Sequence, residues 1–255
     1  MALCVFCASQ ATLTREHILP QWLGSLPAGE GPFTIRRLNE TGQVIEYQAK
    51  GVDIVARAVC GPCNSGWMAD LETAASPLLS PMIAGEHASM TRDEQDLVSR
   101  WAAKTAIMLL YATHPPIGAS PQHRTYLFEG GLPPNTGVWL AKYRADPPAY
   151  NSWIRTRVIE MRLAGQRDGI LTGQSVTLTL GHYIQQVLLT PAPWFGRSFT
   201  FTAPAALERR FLLIPQEKAL RWPTPDEVST DELEHNADSF GATGIITPLP
   251  ESNTT

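Results

Sequence analysis

The chain has 255 residues, 44% hydrophobic and 17% charged. This ordinary globular composition excludes wholesale disorder and suits one large domain or two modest ones. The formal net charge of −4 excludes chain-wide attraction to nucleic acid, so any such binding has to come from a local patch.

The chain opens on Cys4-x-x-Cys7 with no basic-then-apolar leader pattern, from which a reducing, cytoplasmic setting is expected. Phe33–Leu38 and Val44–Gln48 read as two strands around an Asn39-Glu40-Thr41-Gly42 turn, and Val52–Val59 as a third strand running into Cys60-x-x-Cys63. Trp67, Met68 and Leu71 then fit one face of a short helix capped by Asn64 or Ser65. These elements make residues 1–80 a cysteine-bearing unit, and residues 81–255 a second region. Thr91 and Glu94 form a capping box. Behind it Leu97, Val98, Trp101, Ala102, Thr105, Met108, Leu109 and Ala112 recur at helical spacing until His114-Pro115-Pro116. Asp96 and Arg100 add an i,i+4 pair. The Trp101–Ala112 stretch is interrupted by Lys104 and is shorter than the roughly 20 apolar residues a bilayer needs, so no membrane partner is expected. Val138–Tyr143, Trp153–Leu163, Ser175–Leu180, Tyr183–Leu189, Phe199–Phe201 and Phe211–Ile214 are strand-like. The expected fold class is α+β, with the long helix packed on an antiparallel sheet. Residues 222–255 read as a loosely packed tail with one short helix around Thr230–Ala237.

Two Cys-x-x-Cys turns present four thiolates to one tetrahedral Zn²⁺, and closing a long loop by metal suits a unit with a thin core. Two disulfides, a redox pair or unrelated thiols are the alternatives. Four thiolates leave zinc no open position, so this is a structural ion. Between the pairs lies Arg15-Glu16-His17-Ile18-Leu19-Pro20. A carboxylate beside an imidazole offers a ligand for a hard cation and a base that takes a proton near neutral pH. Asn64 adds an amide oxygen of the kind that Mg²⁺ or Mn²⁺ accepts. Taken alone, His17 ahead of an apolar run reads as a packed core histidine, and Glu16 as a surface partner of Arg15.

Taken together, Cys4, Cys7, Glu16-His17-Ile18-Leu19-Pro20, Cys60, Cys63 and Asn64 resemble the HNH endonuclease family of the ββα-metal superfamily, in its Cys4-zinc variant. Cys63-Asn64-Ser65-Gly66-Trp67-Met68-Ala69-Asp70-Leu71-Glu72 is similar to a Cys-Asn-x-Gly-Trp-Met-x-x-Leu-Glu pattern of bacterial and phage HNH proteins. The resemblance spans the first unit alone. It implies a zinc-stabilised ββα-metal fold for residues 1–80, with His17 as general base and Glu16 and Asn64 holding one Mg²⁺ or Mn²⁺. It also implies DNA as partner and phosphodiester hydrolysis as activity, a chemistry suited to defence, restriction or phage biology. Arg15 and Arg57 would neutralise phosphate charge, with surface ion pairing as the alternative for each. Glu72, about two helical turns beyond Asn64, could approach the metal or stabilise the fold, and is read as structural. The family's middle Asn, usually a few residues before the second Cys pair, has no counterpart between Asp53 and Val59; Asp53 and Asn39 are the substitutes at hand.

Nothing after residue 80 declares a chemistry. Arg155 and Arg157 would share one strand face near Arg162 and Arg167, as a nucleic-acid stripe or a solvated sheet face. Trp139, Trp153, Trp194 and Trp222 read as core. The second region is expected to act in substrate selection, homo-oligomer formation or ligand sensing. Two rivals to the nuclease follow: an inactive zinc-stabilised nucleic-acid-binding module, and a ligand-regulated sensor or toxin nuclease.

Overall fold

A computed structural model of the chain describes residues 1–26, 33–38, 44–49, 54–113, 120–133, 136–144, 152–162, 170–190, 199–202, 210–223, 226–239 and 245–248. Asn39, Asp53, Trp194 and Arg167 lie outside them.

The first Cys turn is clasped by strands β1 (Ala2–Leu3) and β2 (Gln10–Ala11). Strand β3 (Leu13–His17) follows, then a short 3₁₀ turn (Gln21–Ser25), β4 (Phe33–Leu38), β5 (Val44–Ala49) and β6 (Val55–Cys60). The predicted hairpin is present, since β4 and β5 pair antiparallel. β3 pairs antiparallel with β6, from Leu13 opposite Cys60 to His17 opposite Val55, with a bulge between Thr14 and Glu16. From Cys60 the chain runs into α1 (Gly61–Cys63), a widened π-type turn (Asn64–Met68) whose backbone leaves helical geometry at Gly66, and α2 (Ala69–Ile83). Short strand β7 (Ala88–Met90) precedes the long helix α3 (Arg92–Thr113).

The capping box that starts α3 is formed as predicted: the Thr91 backbone N–H donates to Glu94 Oε2 at 2.7 Å, and the Glu94 N–H to Thr91 Oγ1 at 3.3 Å. Asp96 acts electrostatically on Arg100, as the spacing predicts, and also pairs with Arg92 at 3.1 Å. Helix α4 (Pro121–Phe128) was not predicted. Strands β8 (Thr136–Lys142), β9 (Ser152–Arg162), β10 (Ile170–Leu180), β11 (Tyr183–Leu189), β12 (Phe199–Thr202), β13 (Leu212–Ile214) and β14 (Leu220–Trp222) follow, then α5 (Thr230–Ser239) and β15 (Ile245–Pro248).

The main sheet has seven strands in the order β13-β8-β11-β10-β9-β4-β5. Its pairs are antiparallel except β4 with β9, which run parallel with Ile35 opposite Ile154 and Arg36 opposite Arg155. The hairpin inserted between β3 and β6 is therefore an edge of the sheet built by the second region. The fold class is α+β, with α3 packed against the sheet.

Both sheet faces are covered. Val138 and Leu140 of β8 join the core that contains α3, while Trp139 and Ala141 join a second core with Trp153, Tyr143, Phe211, Val228, Leu233 and Ala237. This corrects two expectations. Residues 228–237 are packed rather than loose: Leu233 is buried, and Asn236 Nδ2 donates to Gln186 Oε1 at 2.8 Å. The Arg155 face is not a solvated stripe, because Arg155 is 5% exposed on the side of the sheet that α5 covers. Trp139, Trp153 and Trp222 are core residues. The larger core is continuous from Cys4 through α2 and α3 to Trp222. No described helix is long and apolar enough to cross a membrane.

Candidate functional site

Two features meet in the first unit: a cluster of four thiols, and beside it a cleft carrying acids, an imidazole and an amide. The sulfurs of Cys4, Cys7, Cys60 and Cys63 all lie within 4.8 Å of one another. All four cysteines are free, and Cys7 Sγ stands 3.7 Å from Cys60 Sγ. A disulfide needs about 2 Å, whereas tetrahedral Zn–S bonds of about 2.3 Å put sulfurs about 3.8 Å apart. The cluster fits a metal ion such as zinc. The Cys60 N–H points at Cys4 Sγ at 3.4 Å, a donor that steadies a thiolate. Hydrogen bonding by Ser9 pulls the Cys7 thiol down to about 6, while burial pushes Cys60 and Cys63 up.

The first turn closes through the Ala8 N–H donating to the Cys4 carbonyl at 3.0 Å, with Ala8 at φ 56°. The left-handed conformation costs an L-residue about 1–2 kcal/mol. Ala8→Gly should raise stability by about 0.5–1 kcal/mol, read as a higher melting temperature, once glycine's greater unfolded freedom is subtracted. An unchanged or lower melting temperature would refute this. Phe6 of the same turn packs edge-on against Trp67, ring centroids 5.0 Å apart, which ties the first Cys turn to the helix behind the second.

The adjacent cleft, of about 410 Å³, is lined by Arg15, Glu16 and His17 of β3, by Pro20–Trp22, and by Asn64, Ala69, Glu72 and Thr73. The structure thus brings Glu16, His17 and Asn64 into one depression. Two local devices set them there. The bulge after Thr14 re-aims the end of β3. Thr14 Oγ1 donates to the Val59 carbonyl at 3.0 Å and accepts from Asn64 Nδ2 at 3.1 Å. Because that hydroxyl's proton goes to Val59, the amide must turn its nitrogen to Thr14, which leaves Asn64 Oδ1 as the atom available to a cation. Arg15 is exposed at the rim; Arg57 is exposed on β6 and does not line the cleft.

Glu16 is 4% exposed. Burial raises its carboxyl to about 7; Lys104 opposes the rise and Glu72 adds to it. Between about pH 4.5 and 7 folded Glu16 keeps a proton that the unfolded chain has released, so its contribution favours folding below that window and is lost as pH rises through 7. Without divalent ions, Glu16→Gln should gain on wild type by about 2 kcal/mol as pH is raised from about 5 to 8. A melting-temperature difference that is flat across those pH values would refute the assignment.

The sequence reading took Glu72 for a structural residue and missed Lys104. Glu72 lines the cleft, and Lys104 of α3, with a side chain 0% exposed, holds its Oε1 at 2.5 Å. The signal for Lys104 was its place on the apolar stripe itself, one turn beyond Trp101 and one before Met108. Among the described residues, the cysteines alone bring three or more Cys, His, Asp or Glu ligand atoms to one point. Glu16, His17 and Glu72 share the cleft without such closure.

A second cleft, of about 650 Å³, is lined by His87, Lys142, Arg144, Arg210, Pro223, Asp226 and Glu227, with Lys142 paired to Glu227 at 3.0 Å and Arg210 to Glu232 at 2.6 Å. It contains none of the residues singled out in the sequence. His123, at the start of α4, is buried and held down to about 4 by desolvation, so it is a neutral structural histidine. Comparisons of the chain with family models, with curated proteins and with solved structures return no match.

Proposed function

We propose that this protein is a metal-dependent endonuclease of the HNH type that hydrolyses DNA phosphodiester bonds. One observation carries the reading: Glu16 and His17 end a strand of an antiparallel pair, Asn64 follows Cys63 in the helical run that starts at Gly61, and all three line one cleft. That is the strand-strand-helix disposition expected of a ββα-metal site.

The residues divide the work by their chemistry. His17, half-buried at the cleft, takes the proton from the attacking water, which an imidazole does near neutral pH. Glu16 and Asn64 Oδ1 hold one divalent ion, Mg²⁺ or Mn²⁺, with Thr14 fixing the amide. When bound, that ion supplies positive charge to the scissile phosphate and the leaving oxygen. Arg15 meets a neighbouring phosphate at the rim, and Arg57 contacts the DNA backbone outside the cleft. The cysteine-bound zinc takes no part in the reaction, since its four thiolates leave no open position. It joins the segment carrying Glu16 to the segment carrying Asn64.

The test is conversion of supercoiled plasmid by zinc-loaded protein with added Mn²⁺ or Mg²⁺. Nicked or linear product that requires the added ion is expected. Failure to cut single- or double-stranded DNA with either ion would overturn the proposal and leave a zinc-stabilised binding module.

A further inference from the structure

Lys104 is the costliest side chain near the cleft. Its ammonium is removed from water entirely, on a helix whose other buried residues are uncharged. A buried ion pair is rarely a gain in stability over an apolar pair of the same shape. The surrounding charge is also unbalanced. Glu72 and Glu16 are two acids within electrostatic reach of the one lysine. A pair serving the core alone would need a single acid. Here the surplus acid stands at the wall of an open cleft, and Glu72 keeps 18% of its side chain exposed there.

We propose that Glu72 is the second carboxylate of the divalent-ion site, and that Lys104 is a positioning residue that fixes it there. This rests on the reading of the cleft as an ion-dependent centre. Lys104 engages Oε1, and Oε2 has no hydrogen-bond partner among the described residues. Oε2 is therefore the atom that meets the ion or its water shell, as Mg²⁺ and Mn²⁺ commonly accept carboxylates. Lys104 belongs to α3, so the region after residue 80 supplies part of the site's floor.

The experiment is calorimetric titration of Mn²⁺ into the zinc-loaded full chain at neutral pH, with DNA cutting measured in parallel. Glu72→Gln keeps the shape and the contact to Lys104. It should raise the Mn²⁺ Kd about tenfold or more with zinc content unchanged, while the melting temperature falls because the buried ammonium loses its counter-charge; binding is therefore read well below that temperature. Lys104→Met tests positioning by the sign of its effect. A lysine that merely repelled the ion would, once removed, give tighter Mn²⁺ binding; a positioning lysine gives binding several-fold weaker. An unchanged Kd in Glu72→Gln, or wild type that binds no Mn²⁺, overturns the proposal, and tighter binding in Lys104→Met overturns its positioning half. Wild type that binds Mn²⁺ through Glu72 yet cuts no DNA upholds the ion site and removes the nuclease reading. Wild type that cuts while Glu72→Gln binds and cuts equally well does the reverse.

Discussion

His17→Ala should cut plasmid about 10²–10⁴-fold more slowly than wild type while keeping its zinc, its fold and its affinity for Mn²⁺. The expected size follows from the task. Deleting the general base leaves phosphate binding and ion charge in place, so the loss is that of one proton-transfer group and not of the whole site. The side chain is half-buried at the end of β3, where truncation costs little packing. A variant that folds and cuts at the wild-type rate would remove His17 from the mechanism. A variant that loses Mn²⁺ binding as well would make His17 a ligand rather than a base.

The second large effect belongs to the thiols. Cys60→Ser should lose most of its zinc and unfold far below the wild-type temperature. Cys60 is 3% exposed, its sulfur is 3.7 Å from Cys7, and its N–H supports Cys4. The residue ends the β strand that pairs with the one carrying Glu16 and His17. Metal affinity at such sites is folding free energy, on the order of 10 kcal/mol for four ligands, against a net stability of about 5–15 kcal/mol for a domain. Losing one thiolate forfeits a large part of that margin. Zinc analysis together with thermal unfolding reads the result. Wild type purified with reduced thiols and no zinc, or Cys60→Ser with unchanged melting, would show that these cysteines do not staple the fold.

Local signals carried much of this structure, and their failures have physical causes. The α3 capping box, the β4–β5 hairpin and the long strands of the main sheet follow from residue spacing alone. Clustering of the cysteines follows from two turns of matching geometry. Parallel pairing of β4 with β9 could not be read, because residues so far apart in sequence leave no local pattern when they join. Packing of α5 was hidden by its polar composition: it docks partly through Asn236 on Gln186, and amide contacts leave no apolar stripe. Arg155 was placed in solvent because a charged residue on an antiparallel strand usually faces water; here a second layer covers that face. Lys104 and Glu72 are the instructive pair. Lys104 showed only as an interruption of an apolar stretch and Glu72 as a structural residue, and only their meeting between two helices joins the lysine to a residue of the cleft.

The splice of β4 onto β9 also sets an order of events at the ribosome. Glu16 and His17 leave the exit tunnel early, but the strand that braces the β4–β5 hairpin, and the lysine that pairs with Glu72, are synthesised long afterwards. A half-made chain therefore carries Glu16 and His17 without that support, and the cleft is completed only when translation has passed the middle of the message.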